Sequence, residues 1–436
     1  MELQRGLRQP THPDTAVSHS DVETMPGNDN TRGTMNLPRI CEKPLKVALL
    51  TGGGDRHYAF GLMMSLVQAG VRLDCIGGDE IDSPEMNTTP GLTYFRMRRS
   101  GLGVGALRKT ARLAAYYVRL IAYATFAQPK VFHILWNNRF EHFDRTLLMA
   151  YYRLLGKKLV LTAHNINAGM RDGRDSGLNR FTLRLQYHLS DHIFVHTQKM
   201  KDELISNFNV RPQAVSVIRY GINNAVPNTA LTPQDSRRRL GIADEERTIL
   251  FFGNIAPYKG LEYLIRAFER VCASRGEDRY RLIVAGRFKK GSDEYSERIE
   301  HELNSSPYRD RFILHLELIP DEEIELYFKA ADILVLPYTS IFQSGILFLG
   351  YSFGLPVIAA DVGSLRDDVL EGATGYLCRP KEEADLAEAI RKYFDSSLYR
   401  SLGSQRQAIQ EYGRSEHSWE SVALEIRQVY TRLLLS

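Results

Sequence analysis

Short apolar runs alternate with amphipathic stretches along most of the chain, and each run ends in small or polar residues. "KVALL" (46–50) is followed by "TGGGDRHYAFGLMMSLVQAG", a pattern that predicts a strand, a glycine turn, and a helix closed by Gly70. "VRLDCIG", "KVFHILW" (130–136), "KKLVLTAHN" (157–165) and "DHIFVHT" (191–197) repeat the strand signal, with a helical stretch near 143–155. The pattern then restarts. "RTILFFGNIAPYKG" (247–260) predicts a strand and turn before the helix "LEYLIRAFERVCAS", and "YRLIVAGR" (280–287), "RFILHLELIP" (311–320), "DILVLPY" (332–338) and "VIAA" follow as strands. A helix is expected near 365–370, then a turn at Gly372–Gly375 and helices to the end.

Continuous apolar strands separated by helices predict parallel sheets covered on both faces. The polar segment "YGINNAVPNTALTPQDS" (220–236), with two prolines, predicts a linker between two such sheets. The expected architecture is therefore α/β, with two Rossmann-like parallel-sheet domains facing a central cleft. Residues 45–222 form the first domain and 240–412 the second, with a C-terminal segment, 413–436, beyond them. Residues 1–40 are polar and rich in Pro, Asn and Thr, and are expected to be a disordered tail.

Composition narrows the function classes. At 436 residues the chain exceeds what one core usually serves, and 43% hydrophobic with 25% charged residues is ordinary for a soluble enzyme. A net charge of +4 gives no general argument for nucleic acid. Cys41, Cys75, Cys272 and Cys378 lie far apart with no CxxC pair, which fits neither a disulfide framework nor a zinc site. The start has no apolar signal region, and no long uncharged apolar run occurs. A cytoplasmic protein without bound metal or cofactor is the expectation.

Candidate chemistry sits where strands end, because exposed N–H groups and a helix N-terminus favour anions there. After "DILVLPY" comes Gln343-Ser344-Gly345, with the next helix starting near Ile346. Two readings fit: an ordinary strand-to-helix turn capped by Ser344, or a turn whose backbone approaches a ligand at Gly345. The turn at Gly253-Asn254 delivers Lys259, and Gly286-Arg287 ends the next strand. Each cation alone reads equally as surface charge. Three strand ends from one half point to a shared anion such as a diphosphate.

These elements resemble the family 4 type of GT-B glycosyltransferases. The matching stretches are "FFGNIAPYKGLEYLIRAF", "LIVAGR", "IPDEEIELYFKAADILVLPY" and "GLPVIAADVGSLRDDVLEGATGYL", with a looser match in "TGGGDRHYAFGLMMSLVQAG", "LTAHN" and "DHIFVHT". The resemblance spans roughly residues 45 to 430. It implies transfer of a sugar from a nucleotide-sugar to an acceptor, usually with retention and without a metal at the diphosphate. It also implies that residues 413–436 pack back on the first domain.

Carried over residue by residue, the resemblance keeps Lys259 at the donor diphosphate but places Asn254 where the family has an Arg. Arg287 is the expected substitute charge. The family's pair of glutamates, one at the donor sugar and one at the ribose, is replaced by Ile341 and Leu349. Gln343, Ser344, Gly345 and Ile346 are the expected donor contacts in their place.

In the first half, "TGGGDR" matches neither a P-loop nor GxGxxG, so neither ATP nor NAD is indicated. The resemblance puts this turn at the cleft: Gly53 and Gly54 would let backbone approach substrate, and Asp55 would meet a hydroxyl. A plain tight turn fits equally. His133, His164 and His196 lie in or after predicted strands, where core histidines are common. The resemblance singles out His164, beside the transferred sugar, as the group that positions or polarises a hydroxyl.

A helix from about Ala106 carries Arg108, Arg112 and Arg119 within roughly 40° of one another at helical spacing, with Tyr116, Tyr117, Leu120 and Tyr123 interleaved. Such a face suits either solvent or an anionic membrane surface. The expected function is transfer of a sugar from a nucleotide-sugar donor to a glycan or lipid-linked acceptor, with peripheral membrane contact and no nucleic-acid partner. Surface polysaccharide or glycolipid synthesis is the role the resemblance suggests. A nucleotide-sugar epimerase and a non-catalytic sugar-nucleotide-binding partner of another transferase are the alternatives.

Overall fold

The computed structural model describes residues 45–99, 106–171, 173, 175–274 and 279–436, and Pro44–Ser436 forms one compact unit. The tail read as 1–40 lies outside the described residues. Among these residues there are two parallel sheets, each with the strand order of a doubly wound fold.

The first sheet contains β1 (Lys46–Leu50), β2 (Arg72–Gly78), β3 (Leu92–Arg98), β4 (Val131–Ile134), β5 (Lys158–Thr162), β6 (His192–Val195) and β7 (Val215–Val217), in the order β3-β2-β1-β4-β5-β6-β7. The second contains β8 (Arg247–Phe252), β9 (Tyr280–Ala285), β10 (Phe312–His315), β11 (Ile333–Leu336), β12 (Val357–Ala360) and β13 (Gly375–Cys378), in the order β10-β9-β8-β11-β12-β13. In each sheet the order reverses beside the first strand, between β1 and β4 and between β8 and β11. Loops leaving those strand ends flank a crevice that backbone does not fill, the usual ligand position in such sheets.

The apolar runs became strands because their side chains are buried on both faces. β1, β4, β8 and β11 are buried along almost their whole length. Three strands, β3, β7 and β13, carried no legible signal. Each is an edge strand. β3 ("LTYFRMR") is half-exposed and interrupted by arginines, so no apolar run marks it. The segment read as a turn at Gly372–Gly375 ends where β13 begins.

The chain crosses between the halves twice. Ile222 N donates to the His417 carbonyl at 2.9 Å, and the Trp419 indole donates to the Ile222 carbonyl at 2.7 Å. The helix Trp419–Leu435 then packs on the first half, where Val422, Ile426 and Tyr430 share a core with Val47, Leu49 and Leu62. Gly61 and Gly221 both lie against the Trp419 ring, and a Cβ at either would come within 2.4 Å of it. Cys75, Cys272 and Cys378 are buried free thiols. No described helix is long and apolar enough to cross a membrane.

Candidate active site

The residues expected on the donor side come together through glycine-permitted contacts. Phe252 pairs with Ala285 at the ends of β8 and β9, so Asn254 and Arg287 leave neighbouring strand ends, and Ile255 N donates to the Arg287 carbonyl. Both side chains are exposed. Gly286 adopts φ +146°, and a Cβ there would lie 1.9 Å from the Gly253 carbonyl oxygen. Only glycine lets these two turns close up. Ile346 completes the group: its Cδ1 lies 3.3 Å from where a Gly253 Cβ would sit.

Lys259 is buried rather than displayed. Its Nζ donates to the Tyr338 hydroxyl at 2.6 Å and stands 3.9 Å from the centre of that ring. Burial raises the Tyr338 phenol far above its ordinary range, so it stays protonated. The Ser344 hydroxyl also turns to Tyr338, at 3.4 Å, and makes no capping bond to its helix, Gly345–Ser352. Of the two readings open for Ser344, the helix cap is not formed: its oxygen belongs to the network that holds Lys259.

Gln343 is likewise engaged. Its Nε2 donates to Asp368 Oδ2 at 3.1 Å, and the Ser364 hydroxyl donates to the same oxygen at 2.8 Å. Burial pushes Asp368 up to about 6, against the pull of those two bonds. Asp368 was not legible as a site residue, because it stands in an ordinary acidic pair in "SLRDDV". Ile341 packs as a partly buried hydrophobic residue against the core of the second half.

The two halves meet at Gly345. A Cβ there would lie 3.1 Å from the Tyr220 hydroxyl and 3.7 Å from Asp55 Oδ2. Tyr220 donates to that Asp55 oxygen at 3.3 Å and stacks on Phe348. The glycine turn after β1 and the turn after β11 thus face each other across one tyrosine, the first residue of the linker segment 220–236. A second bridge joins Arg56 and His57 to Asp321, with His57 Nε2 at 2.7 Å.

Three first-half expectations change. Asp55 caps the helix Arg56–Gln68 by accepting from His57 N and Tyr58 N, so its carboxylate is already used by the fold. The bare face of Gly54 is filled by the Trp136 ring, 2.0 Å from a would-be Cβ, and that of Gly53 by the Arg98 guanidinium at 1.8 Å. These glycines admit the protein's own side chains. His133 is fully buried, with Nδ1 bonded to Tyr430 and Nε2 to Thr162, and is a core residue tying β4 to the C-terminal helix.

His164 and His196 do meet. His196 Nε2 lies 3.1 Å from His164 Nδ1, and His196 Nδ1 lies 3.3 Å from the Ile218 carbonyl. Trp136 stacks on His164 at 4.1 Å and 4°, with Tyr58 edge-on at 4.5 Å. Burial keeps both imidazoles uncharged: His164 is held well below the ordinary range, and His196 is pushed down to about 4. His164 and Trp136 form part of the wall of a cavity of about 350 Å³ that also reaches Asn137, Arg145 and Gln186.

The helix Ala106–Phe126 presents Arg108, Arg112 and Arg119 to solvent. Its aromatics do not join them. Tyr116, Tyr117 and Leu120 are buried against the sheet, and the Tyr123 hydroxyl donates to Asp74. Phe126, 84% exposed, falls on the arginine side instead. No cluster of metal-ligating residues occurs among the described residues.

Comparison with known proteins agrees with this architecture. Residues 52–226 match the family described as Glycosyltransferase Family 4, and residues 233–416 match Glycosyl transferases group 1. An uncharacterized glycosyltransferase of Methanocaldococcus jannaschii is 25% identical over 88% of this chain and 98% of its own. A D-inositol 3-phosphate glycosyltransferase of Corynebacterium aurimucosum is 25% identical over 62% of this chain, and the match spans 65% of that relative. Among solved structures, the sucrose-phosphate synthase of Thermosynechococcus elongatus superposes with a TM-score of 0.70 at 20% identity, covering 89% of this chain and 99% of that one. Anabaena Alr3699/HepE in complex with UDP and glucose gives 0.69 at 17% identity, covering 89% and 100%. At such identities the structural likeness carries the fold, while the two family matches lie in series over both sheets. The chain belongs to the family 4-type glycosyltransferases of GT-B fold.

Proposed function

We propose that this protein transfers a sugar from a nucleotide-sugar to a hydroxyl acceptor in the cleft between its two sheets. The observation that carries this reading is the meeting at Gly345, where the turn after β11 faces the first half across Tyr220 and Asp55. The nucleotide diphosphate would lie along the turns of Asn254, Arg287 and Gly345. Arg287 would supply the exposed charge, with backbone N–H groups at the helix N-terminus beside it. Solved relatives of this fold with UDP and glucose bound support a nucleotide-sugar as donor.

His164 would lie beside the transferred sugar, and the neighbouring cavity would take the acceptor. Transfer would proceed with retention of the anomeric configuration. In that reaction the proton of the acceptor hydroxyl passes to the leaving phosphate oxygen, so no separate carboxylate base is needed. A glycan or lipid-linked acceptor, met at the inner face of an anionic membrane during surface polysaccharide or glycolipid synthesis, fits the exposed arginine stripe.

A thermal-shift screen against UDP-, GDP-, ADP- and TDP-sugars identifies the donor, because a ligand bound to the folded state raises the melting temperature. Incubation of the selected sugar nucleotide, radiolabelled in the sugar, with candidate acceptors then tests transfer. Label in the acceptor is the expected result. Label in an isomerised sugar nucleotide would mean an epimerase, and binding without turnover would mean a non-catalytic partner.

A further inference from the structure

The His164–His196 pair has a direction that its neighbours fix. A backbone carbonyl can only accept, so the Ile218 oxygen requires a proton on His196 Nδ1. A neutral imidazole carries one proton, which leaves His196 Nε2 as a bare acceptor. The 3.1 Å contact to His164 Nδ1 is then a hydrogen bond only if His164 Nδ1 bears its proton. His164 Nε2 is left as a lone pair, and it is buried with no hydrogen-bond partner among the described residues. A buried acceptor in that state is a cost that a ligand hydroxyl removes. Trp136, stacked on the His164 ring, and Tyr58, edge-on to it, restrict the ring from turning to exchange its nitrogens.

We propose that His196 is a positioning residue that locks His164 in the Nδ1–H form, making His164 Nε2 an obligate acceptor for a hydroxyl of the bound sugar. The assignment rests on the transferase reading for its ligand, but not for its geometry. It also sets a substrate class: Nε2 accepts a proton from a neutral hydroxyl and offers none to a carboxylate or a phosphate. The burial that keeps both rings uncharged works in the same direction.

The test is long-range proton–nitrogen correlation NMR of the full chain labelled with 15N-histidine, with the His164 signals assigned by their loss in His164→Gln. His164 is expected as the Nδ1–H tautomer in the unmodified protein. In His196→Phe it should revert to the Nε2–H form, and kcat with the sugar nucleotide selected by thermal shift should fall at least tenfold. His196→Gln, whose side-chain oxygen can still accept from His164 Nδ1, should restore both the tautomer and most of the rate. That rescue separates positioning from packing and stands in if His196→Phe fails to fold. An Nε2–H His164 in the unmodified protein, or an Nδ1–H His164 surviving in His196→Phe, overturns the proposal. The NMR result does not require turnover, so absence of any transferase activity would defeat the functional reading and leave the tautomer assignment standing.

Discussion

The amide of Gln343, on the loop that follows β11, and the carboxylate of Asp368, which ends the short helix Leu365–Asp368 after β12, are hydrogen-bonded at 3.1 Å. This contact puts a carboxylate beside the turn whose family glutamates are missing, although no glutamate stands in the segment itself.

Asp368 gives a pH prediction. Its folded value, about 6, lies above that of an unfolded aspartate, so the native state holds this proton more tightly than the unfolded chain does. The stability contributed by the neutral form is fully present below about pH 4 and is lost as pH rises through about 6. Asp368→Asn keeps an acceptor for Gln343 and Ser364 without the charge. It should raise stability at pH 8 by about 1–2 kcal/mol, discounting for partial exposure, and change it little at pH 4. Melting temperatures across that range check this, and an equal shift at both ends would show that Asp368 is not titrating.

Gly345 gives a paired-mutant prediction. A methyl group at Gly345 approaches the Tyr220 hydroxyl to 3.1 Å, tighter than ordinary contact. Gly345→Ala should slow transfer, and Gly345→Val, larger and branched, should slow it most. Adding Tyr220→Phe to Gly345→Ala removes the crowded oxygen and should recover about 0.5–3 kcal/mol of the loss, the coupling expected of residues in contact. Full activity in Gly345→Ala alone would mean the turn is only a helix start.

Lys259 and Arg287 separate stability from binding. Both were expected at the diphosphate, but only Arg287 is exposed. Arg287→Ala should weaken nucleotide-diphosphate binding by about 1.5–3 kcal/mol and leave the melting temperature essentially unchanged. Lys259→Ala should lower stability by about 1–3 kcal/mol as well, because it removes the charged donor bonded to the buried Tyr338 hydroxyl and leaves only the longer contact from Ser344. Titration calorimetry with UDP alongside thermal melting checks both, and unaltered affinity in Arg287→Ala would remove that residue from the site.

The membrane reading rests on charge and one apolar end. Replacing Arg108, Arg112 and Arg119 together with Glu should abolish sedimentation with phosphatidylserine vesicles while preserving the fold. Phe126→Ser should weaken sedimentation without a charge change. No sedimentation of the unmodified protein at low salt would show that the stripe is simply solvated.

By itself the sequence determined two parallel sheets, most of their central strands, and which strand ends face the cleft. Those features are local: a strand buried on both faces must be apolar throughout, and the residues that end it must turn. Edge strands such as β3 escaped because half-exposed backbone imposes no such rule. Strand-end turns also picked out Lys259 and Gly345, and the family resemblance picked out His164. What only the tertiary structure decided is what each side chain is bonded to. Gly54 became a seat for Trp136, and His133 a core residue held by Tyr430, nearly three hundred residues later in the chain. Hydrogen-bonding capacity is finite, so a polar group satisfied by a distant partner is no longer free for a ligand, and no local pattern records that partner. From the Ile218 carbonyl through His196 to His164, the same finite capacity leaves one lone pair for the substrate.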